Sequence, residues 1–244
     1  MGKKSKKRKK GSGKLFGGGF LFAILCALLL YLCFGFSEAN SKSIVSSNPD
    51  SIPEYAGIDT IILHDNIPEF NDRDFETIKG EHYSNLDLLG RCGTATVMLD
   101  RSMMPKTERS SIGQIKPSGW VQKKYPGVVN SEPPYLYNRC HMIAYALTGQ
   151  NANEKNLITG TRYMNADLML PWEKKILKYL DRFDHHVLYR VSPYFKKNEL
   201  LARGLELEAY SVEDEGKGVC FHVFIYNVQP GVRIDYLTGE SSLE

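Results

Sequence analysis

Cysteine is scarce in this chain, five residues in 244. No Cys-x2–4-Cys or His-x3–5-His pair accompanies them, which argues against a zinc site. Cys26 and Cys33 fall inside an apolar run and read as small apolar residues. Cys92, Cys140 and Cys220 are an odd set that allows one bridge at most. Acidic residues are missing from the first 14 positions, which carry eight Lys and Arg, and charge of either sign is missing from Leu15 to Phe36. There are no internal repeats, and no low-complexity tract beyond the basic N-terminus. What remains is one globular domain plus extras.

The uncharged run reads LFGGGFLFAILCALLLYLCFGF. About 20 such residues span the hydrocarbon core as a helix. Residues 15–36 are therefore read as a transmembrane anchor, with residues 1–14 a basic cytoplasmic tail and everything after on the outer face of the cell membrane. A cleaved secretory signal is the competing reading, because Ser37, Glu38 and Ala39 offer a small-x-small cleavage pattern; the protein would then be secreted. Either reading excludes a soluble cytoplasmic enzyme. Residues 37–54, rich in Ser, Asn and Pro, form a flexible linker. Residues 55–244 are the exported domain.

The formal charge of +3 hides an asymmetry. Residues 15–100 hold 4 basic and 12 acidic residues, residues 101–182 hold 13 and 6, and residues 183–244 hold 6 and 10. A net-acidic body is not the usual footprint of a duplex binder, but its positive third could attract a polyanion locally. Ordinary solvated lysines are the bland alternative.

Ile58–Leu63 predicts the first strand, ending at the turn signal His64, Asp65, Asn66. Residues 70–89 read as loop with a short helix, and Gly93 opens a strand through Leu99. Five prolines between 105 and 134 argue for extended loops there. Within them Trp120 and Tyr125 interleave with Lys123 and Lys124, as in a stacking platform for single-stranded nucleic acid. Partial burial in packing is the alternative and the preferred one. Strands are expected at 186–193, 200–212 and 218–228, the last with alternation that predicts one buried face. The result is an α+β domain with a central, mainly antiparallel sheet.

The densest chemistry lies between Tyr137 and Glu173. Asn138, Arg139 and His141 stand side by side in NRCH, and Asn165 and Glu173 follow on a helix expected over about 161–183. Eight residues separate the last two, about 80° around a helix axis, so both can face one side. Pro171 either kinks that helix or starts a second one. Trp172, Ile176, Leu177, Leu180 and Phe183 form its core-facing stripe. A His that can take a proton, an Arg that can hold an anion, and an Asn and a Glu with oxygens for a hard cation are the parts of metal-assisted phosphodiester hydrolysis.

NRCH followed by NANEKNLITGTRYMN resembles the DNA/RNA non-specific endonucleases of the ββα-metal, or His-Me finger, class. The resemblance implies two short strands around 135–143 and 156–159 followed by a helix. It makes His141 the general base, Arg139 the ligand of the pentacovalent phosphate, and Asn165 the holder of a single Mg2+, for which Mn2+ or Ca2+ could substitute. Glu173 would hold the metal's waters; Arg162 and Lys155 are added as substrate contacts. The substrate would be DNA, with RNA open. Two residues depart from the family's D-R-G-H signature: Asn138 stands where Asp is usual and Cys140 where Gly is usual. A Cys92–Cys140 disulfide would rationalise the second departure. Asn156 and Asn138 are expected to fix loops, and His64, His82, His185, His186 and His222 to be surface or strand residues. Two rivals stay open: a surface-tethered nucleic-acid-binding or adaptor protein with a degenerate site, and a thiol nucleophile made of Cys140 with His141. The second is poorly placed, because neighbours on a strand point to opposite faces.

Overall fold

The computed structural model describes residues 52–244, so the apolar run 15–36 and nearly all of the linker lie outside the described residues. No helix among the described residues is long and apolar enough to cross a membrane. Ten strands are present: β1 Thr60–Ile62, β2 Glu81–Tyr83, β3 Ala95–Leu99, β4 Tyr137–His141, β5 Leu157–Thr161, β6 Val187–Tyr194, β7 Gly204–Ser211, β8 Cys220–Tyr226, β9 Val232–Ile234 and β10 Ser241–Leu243. Among the described residues three α-helices join these strands: α1 Asp72–Thr77, α2 Tyr145–Thr148 and α3 Leu170–Arg182.

Six strands form one sheet in the order β1-β8-β7-β6-β3-β2, with every neighbouring pair antiparallel. β4 and β5 form a separate antiparallel hairpin, with Asn138 opposite Gly160 and His141 opposite Leu157. A π turn at Met164–Leu168 and then α3 follow, completing the expected ββα unit. Pro171 lies in the first turn of α3, where its missing N–H costs nothing, so it starts a helix and does not kink one.

The hairpin and α3 pack against one face of the sheet. Val97, Tyr189, Leu207, Phe221 and Val223 from the sheet meet Cys140, Met142, Ile158, Met164, Ile176 and Leu180, all buried. Each large apolar side chain moved from water into this layer contributes about 1.5–3 kcal/mol. Phe183 does not join them. The helix ends one residue earlier, and Phe183 takes an extended backbone that leaves it 47 % exposed and stacked on His185. A buried asparagine ties the hairpin to the sheet: Asn227 accepts from the Thr161 N–H at 2.8 Å and donates to the carbonyls of Thr159 and Ala202.

The alternation in β8 does not mark a single buried face. Val219, Phe221, Val223 and Ile225 face the core, but His222, Phe224 and Tyr226 are buried as well. The reason is tertiary: Ile61, Leu63 and Val228 cover Phe224 and Tyr226, while Asn66 and Ile67 close over His222. The chain crosses there through three consecutive left-handed residues, His64, Asp65 and Asn66, which is the expected turn. β2, β9 and β10 are strands of three residues each, too short to stand out in the sequence pattern.

Candidate active site

His141 ends β4 with its ring buried, and two groups fix it. Its Nε2 lies 2.9 Å from the backbone carbonyl of Asn151, an atom that can only accept. Nε2 therefore carries the hydrogen and donates, leaving the lone pair on Nδ1. The Arg109 guanidinium donates to Nδ1 through Nη2 at 3.2 Å. Burial, aided by the charge of Arg109 and partly offset by the Asn151 bond, lowers the His141 pKa to about 4. The imidazole is neutral at physiological pH, with a base nitrogen oriented by the fold.

A cleft of about 850 Å³ opens beside it, and Arg109, Asn138, Arg139, Arg162 and Asn165 are in its wall. Asn138 thus faces the cleft, whereas Asn156 is the loop-fixing residue expected, bonded to both the N–H and the carbonyl of Ile143. Arg139 stacks on Trp120, its guanidinium carbon 4.3 Å from the ring centroid. Its Nε donates to the Ile115 carbonyl and its Nη2 to that of Gly113. Two of its three nitrogens are therefore spent on holding the loop in register. Lys155 is not part of the cleft wall; it lies on the turn at Glu154–Asn156 and donates to Asn85 at 2.7 Å.

Asn165 stands in the π turn and Glu173 in α3. A π turn absorbs one extra residue, so eight positions count as about seven α-helical steps, or about 700°, bringing the two within about 20° of alignment. Neither side chain makes a hydrogen bond among the described residues. Glu173 is buried, and burial alone pushes its carboxyl pKa up to about 7. Nothing in the protein compensates that charge, and the neighbouring Tyr189 hydroxyl is buried without a partner. An amide oxygen and an uncompensated carboxylate are each the kind of donor a hard cation such as Mg2+ takes.

Cys92, Cys140 and Cys220 are free, so the expected Cys92–Cys140 bridge does not form. The Cys92 thiol is turned to the carbonyls of Leu157 and Glu154, and that of Cys140 packs against the Met169 sulfur. Cys140 instead occupies an ordinary strand position, without positive φ. The room comes from across the hairpin, where a Cβ added to Gly160 would lie 2.7 Å from the Cys140 Cβ. Burial raises the Cys140 pKa well above the thiol range, which removes the thiolate reading.

A second group of ligand-type residues, Glu206, Glu208 and His222, lies on the opposite face of the sheet. His222 Nδ1 meets the Ile67 carbonyl at 3.1 Å and Nε2 meets Glu206 at 2.5 Å, so both nitrogens donate and no lone pair is left for a metal.

The family model for DNA/RNA non-specific endonucleases matches residues 73–213, which carry the hairpin, α3 and every residue of the cleft wall. The chain belongs to that family. Among solved structures it resembles NucA from Streptococcus agalactiae with a magnesium ion bound, at 27 % identity and a TM-score of 0.63, covering 75 % of this chain and 87 % of that one. The fold is also that of the Sda1 nuclease with a bound zinc ion, at 22 % identity and a TM-score of 0.61, covering 76 % of this chain and 96 % of the other. A structure described as an extracellular endonuclease matches at 20 % identity and a TM-score of 0.52, over 78 % of this chain and 100 % of that one.

In this family member the sequence motif supplied Arg139, Arg162 and Asn165, which line the cleft, and His141, which touches the wall residue Arg109. It did not supply Arg109 or Asn151. Arg109 sits 32 residues before His141 in a proline-punctuated loop. The sole signal for it was the positive charge of residues 101–182.

Proposed function

We propose that this protein is a divalent-metal-dependent endonuclease that hydrolyses phosphodiester bonds of DNA, and of RNA, with little sequence preference. One observation carries the proposal. A neutral buried histidine with an oriented lone pair adjoins a cleft walled by Arg109, Arg139, Arg162 and Asn165.

His141 acts as the general base. The Asn151 carbonyl holds Nε2–H, and Nδ1 takes the proton of the attacking water once an incoming phosphate draws Arg109 towards itself. Arg139 and Arg162 share the negative charge that builds at phosphorus, Arg139 from a guanidinium already locked by two backbone carbonyls. Asn165 and Glu173 are the residues that would hold Mg2+, with Mn2+ or Ca2+ as substitutes. When bound, that ion supplies Lewis-acid stabilisation of the phosphate and of the leaving 3′ oxygen. The products carry 5′-phosphates; 3′-phosphate products would refute this polarity. Contacts confined to the backbone carry no sequence information, which makes cleavage non-specific.

The activity belongs outside the cell. The basic cluster before residues 15–36 supports an anchor with residues 55–244 on the outer face, or secretion if the segment is cleaved. The extracellular endonuclease of the same fold is in keeping with that location.

The test is digestion of plasmid and of RNA by the purified protein with Mg2+, with excess chelator, and after His141→Ala. Degradation should require the metal and fall by about 10²–10⁴-fold in the variant, which still binds nucleic acid. If the folded protein binds but cleaves under no condition, the adaptor reading replaces this one.

A further inference from the structure

The wall of the cleft holds two chemically distinct groups of residues. One is cationic, Arg109, Arg139 and Arg162. The segment 131–135 brings Glu132, Pro133 and Tyr135 to the same cleft. An exposed carboxylate there repels phosphate, while a proline and an aromatic ring offer apolar faces.

The local fold makes Tyr135 available. Residues 123–125 pair with 134–136 through the Tyr125 N–H to the Pro134 carbonyl and the Leu136 N–H to the Lys123 carbonyl, both 3.0 Å. Successive side chains on such a pair alternate. Tyr125 and Leu136 are buried, whereas Lys124 and Tyr135 stand opposite each other on the outer side. Tyr135 is 39 % exposed, and the Lys124 ammonium lies 4.9 Å from its ring centroid. Lys124 is not itself in the cleft wall, so it backs the ring without filling the cleft. Of the pair first considered for stacking, Tyr125 belongs to the packing, and Trp120 is already engaged by Arg139.

The Gln122 amide is engaged by the backbone, donating to the Tyr137 carbonyl at 2.6 Å and accepting from the Tyr137 N–H at 3.0 Å.

We propose that Tyr135, backed by Lys124, is a stacking subsite for an unpaired nucleobase in the same cleft as the arginines that hold the scissile phosphate. The proposal rests on the nuclease reading and adds a substrate class to it. A base inside a duplex presents only its edges to a protein, and only an unpaired base can lay its face on a ring. The subsite therefore favours single-stranded or frayed substrate without base preference.

The experiment compares an unpaired oligonucleotide with the same strand annealed in a duplex. Binding is measured in a His141→Ala background with chelator present, and kcat/KM is measured in otherwise unaltered protein with Mg2+. Tyr135→Ala should weaken single-strand binding about tenfold and lower the single-strand to duplex ratio of kcat/KM to match. Tyr135→Phe should keep the ratio, because the ring does the stacking. Removing another exposed ring, by Phe183→Ala, should leave the ratio as it was. Equal losses on both substrates, or no loss on either, would overturn the subsite while wild-type cleavage still upholds the nuclease. A wild-type protein that neither binds nor cleaves overturns both. Thermal melting of each variant separates loss of the ring from loss of the fold.

Discussion

Each face of the six-stranded sheet looks onto a buried histidine, and the pKa values of the two are shifted in opposite directions. His141, on the hairpin side, donates one nitrogen to a carbonyl and turns the other to an arginine. His222, on the opposite face, donates one nitrogen to the Ile67 carbonyl and the other to Glu206, with Glu208 3.9 Å away. Burial lowers the pKa of both. For His141 the Arg109 charge adds to burial, while for His222 the bond to Glu206 and the charges of Glu208 and Glu206 outweigh it and raise the pKa. Burial by itself therefore does not decide a histidine's role; the partner at the second nitrogen does. A cationic partner leaves a base, and a carboxylate partner makes a structural imidazolium.

Exchanging the two substitutions should break the comparison most visibly. His141→Ala should cost activity by about 10²–10⁴-fold with little loss of stability. His222→Ala should cost about 3 kcal/mol of stability, because Glu206 and Glu208 lose a buried partner, while the folded fraction still cleaves. Urea denaturation beside a cleavage assay separates the two. If His222→Ala abolishes cleavage at unchanged stability, the division of roles is wrong.

Glu173→Gln should separate function from stability at a single residue. Removing a possible metal-water ligand should lower activity by about 10–100-fold. It should also stabilise the metal-free protein by up to about 3 kcal/mol above pH 7, since the folded carboxyl titrates near 7 and its ionisation is a cost that grows from pH 4.5 to 7. Melting curves with chelator present, across that range, read the effect.

The pH dependence sharpens the pair in opposite directions. The folded pKa of His141 lies below the unfolded value, so its contribution is complete above about 6.5 and is lost as pH falls towards 4. The folded pKa of His222 is raised, so its contribution is complete below about 6.5 and is lost as pH rises through the folded value. Stability differences between wild type and each variant, measured from pH 4 to pH 8, should slope with opposite sign. The smallest effect belongs to Arg109→Ala, which removes a minor cause of the His141 shift. It should move the acid limb of kcat/KM upward by a fraction of a unit and raise KM, as read from a pH–rate profile.

Much of the hairpin and of the site motif was legible because its signals are local. NRCH, the turn after it and the Asn165–Glu173 spacing all lie within one continuous stretch, and the strands at 95–99, 187–194, 204–211 and 220–226 follow the pattern of their side chains. The miscounted features are those that depend on what packs from elsewhere. The second buried face of β8 is covered by residues 61–67, more than 150 positions away in sequence. The cysteine in place of a glycine at position 140 suggests a bridge to Cys92, yet the glycine that makes room for it is Gly160 on the neighbouring strand. Phe183 fits the helix stripe by spacing, but the helix ends before it.

By itself the sequence determined the residue types that can do the chemistry, their order and their local secondary structure, since these follow from neighbours three to eight positions apart. The tertiary structure alone decided which nitrogen of His141 keeps its lone pair, that Arg109 from a distant loop faces it, that Lys155 stays outside the cleft, and that Glu173 is left buried and uncompensated. Each of those depends on which groups come within about 3 Å in space and on how much water is excluded around them. A linear pattern carries neither quantity.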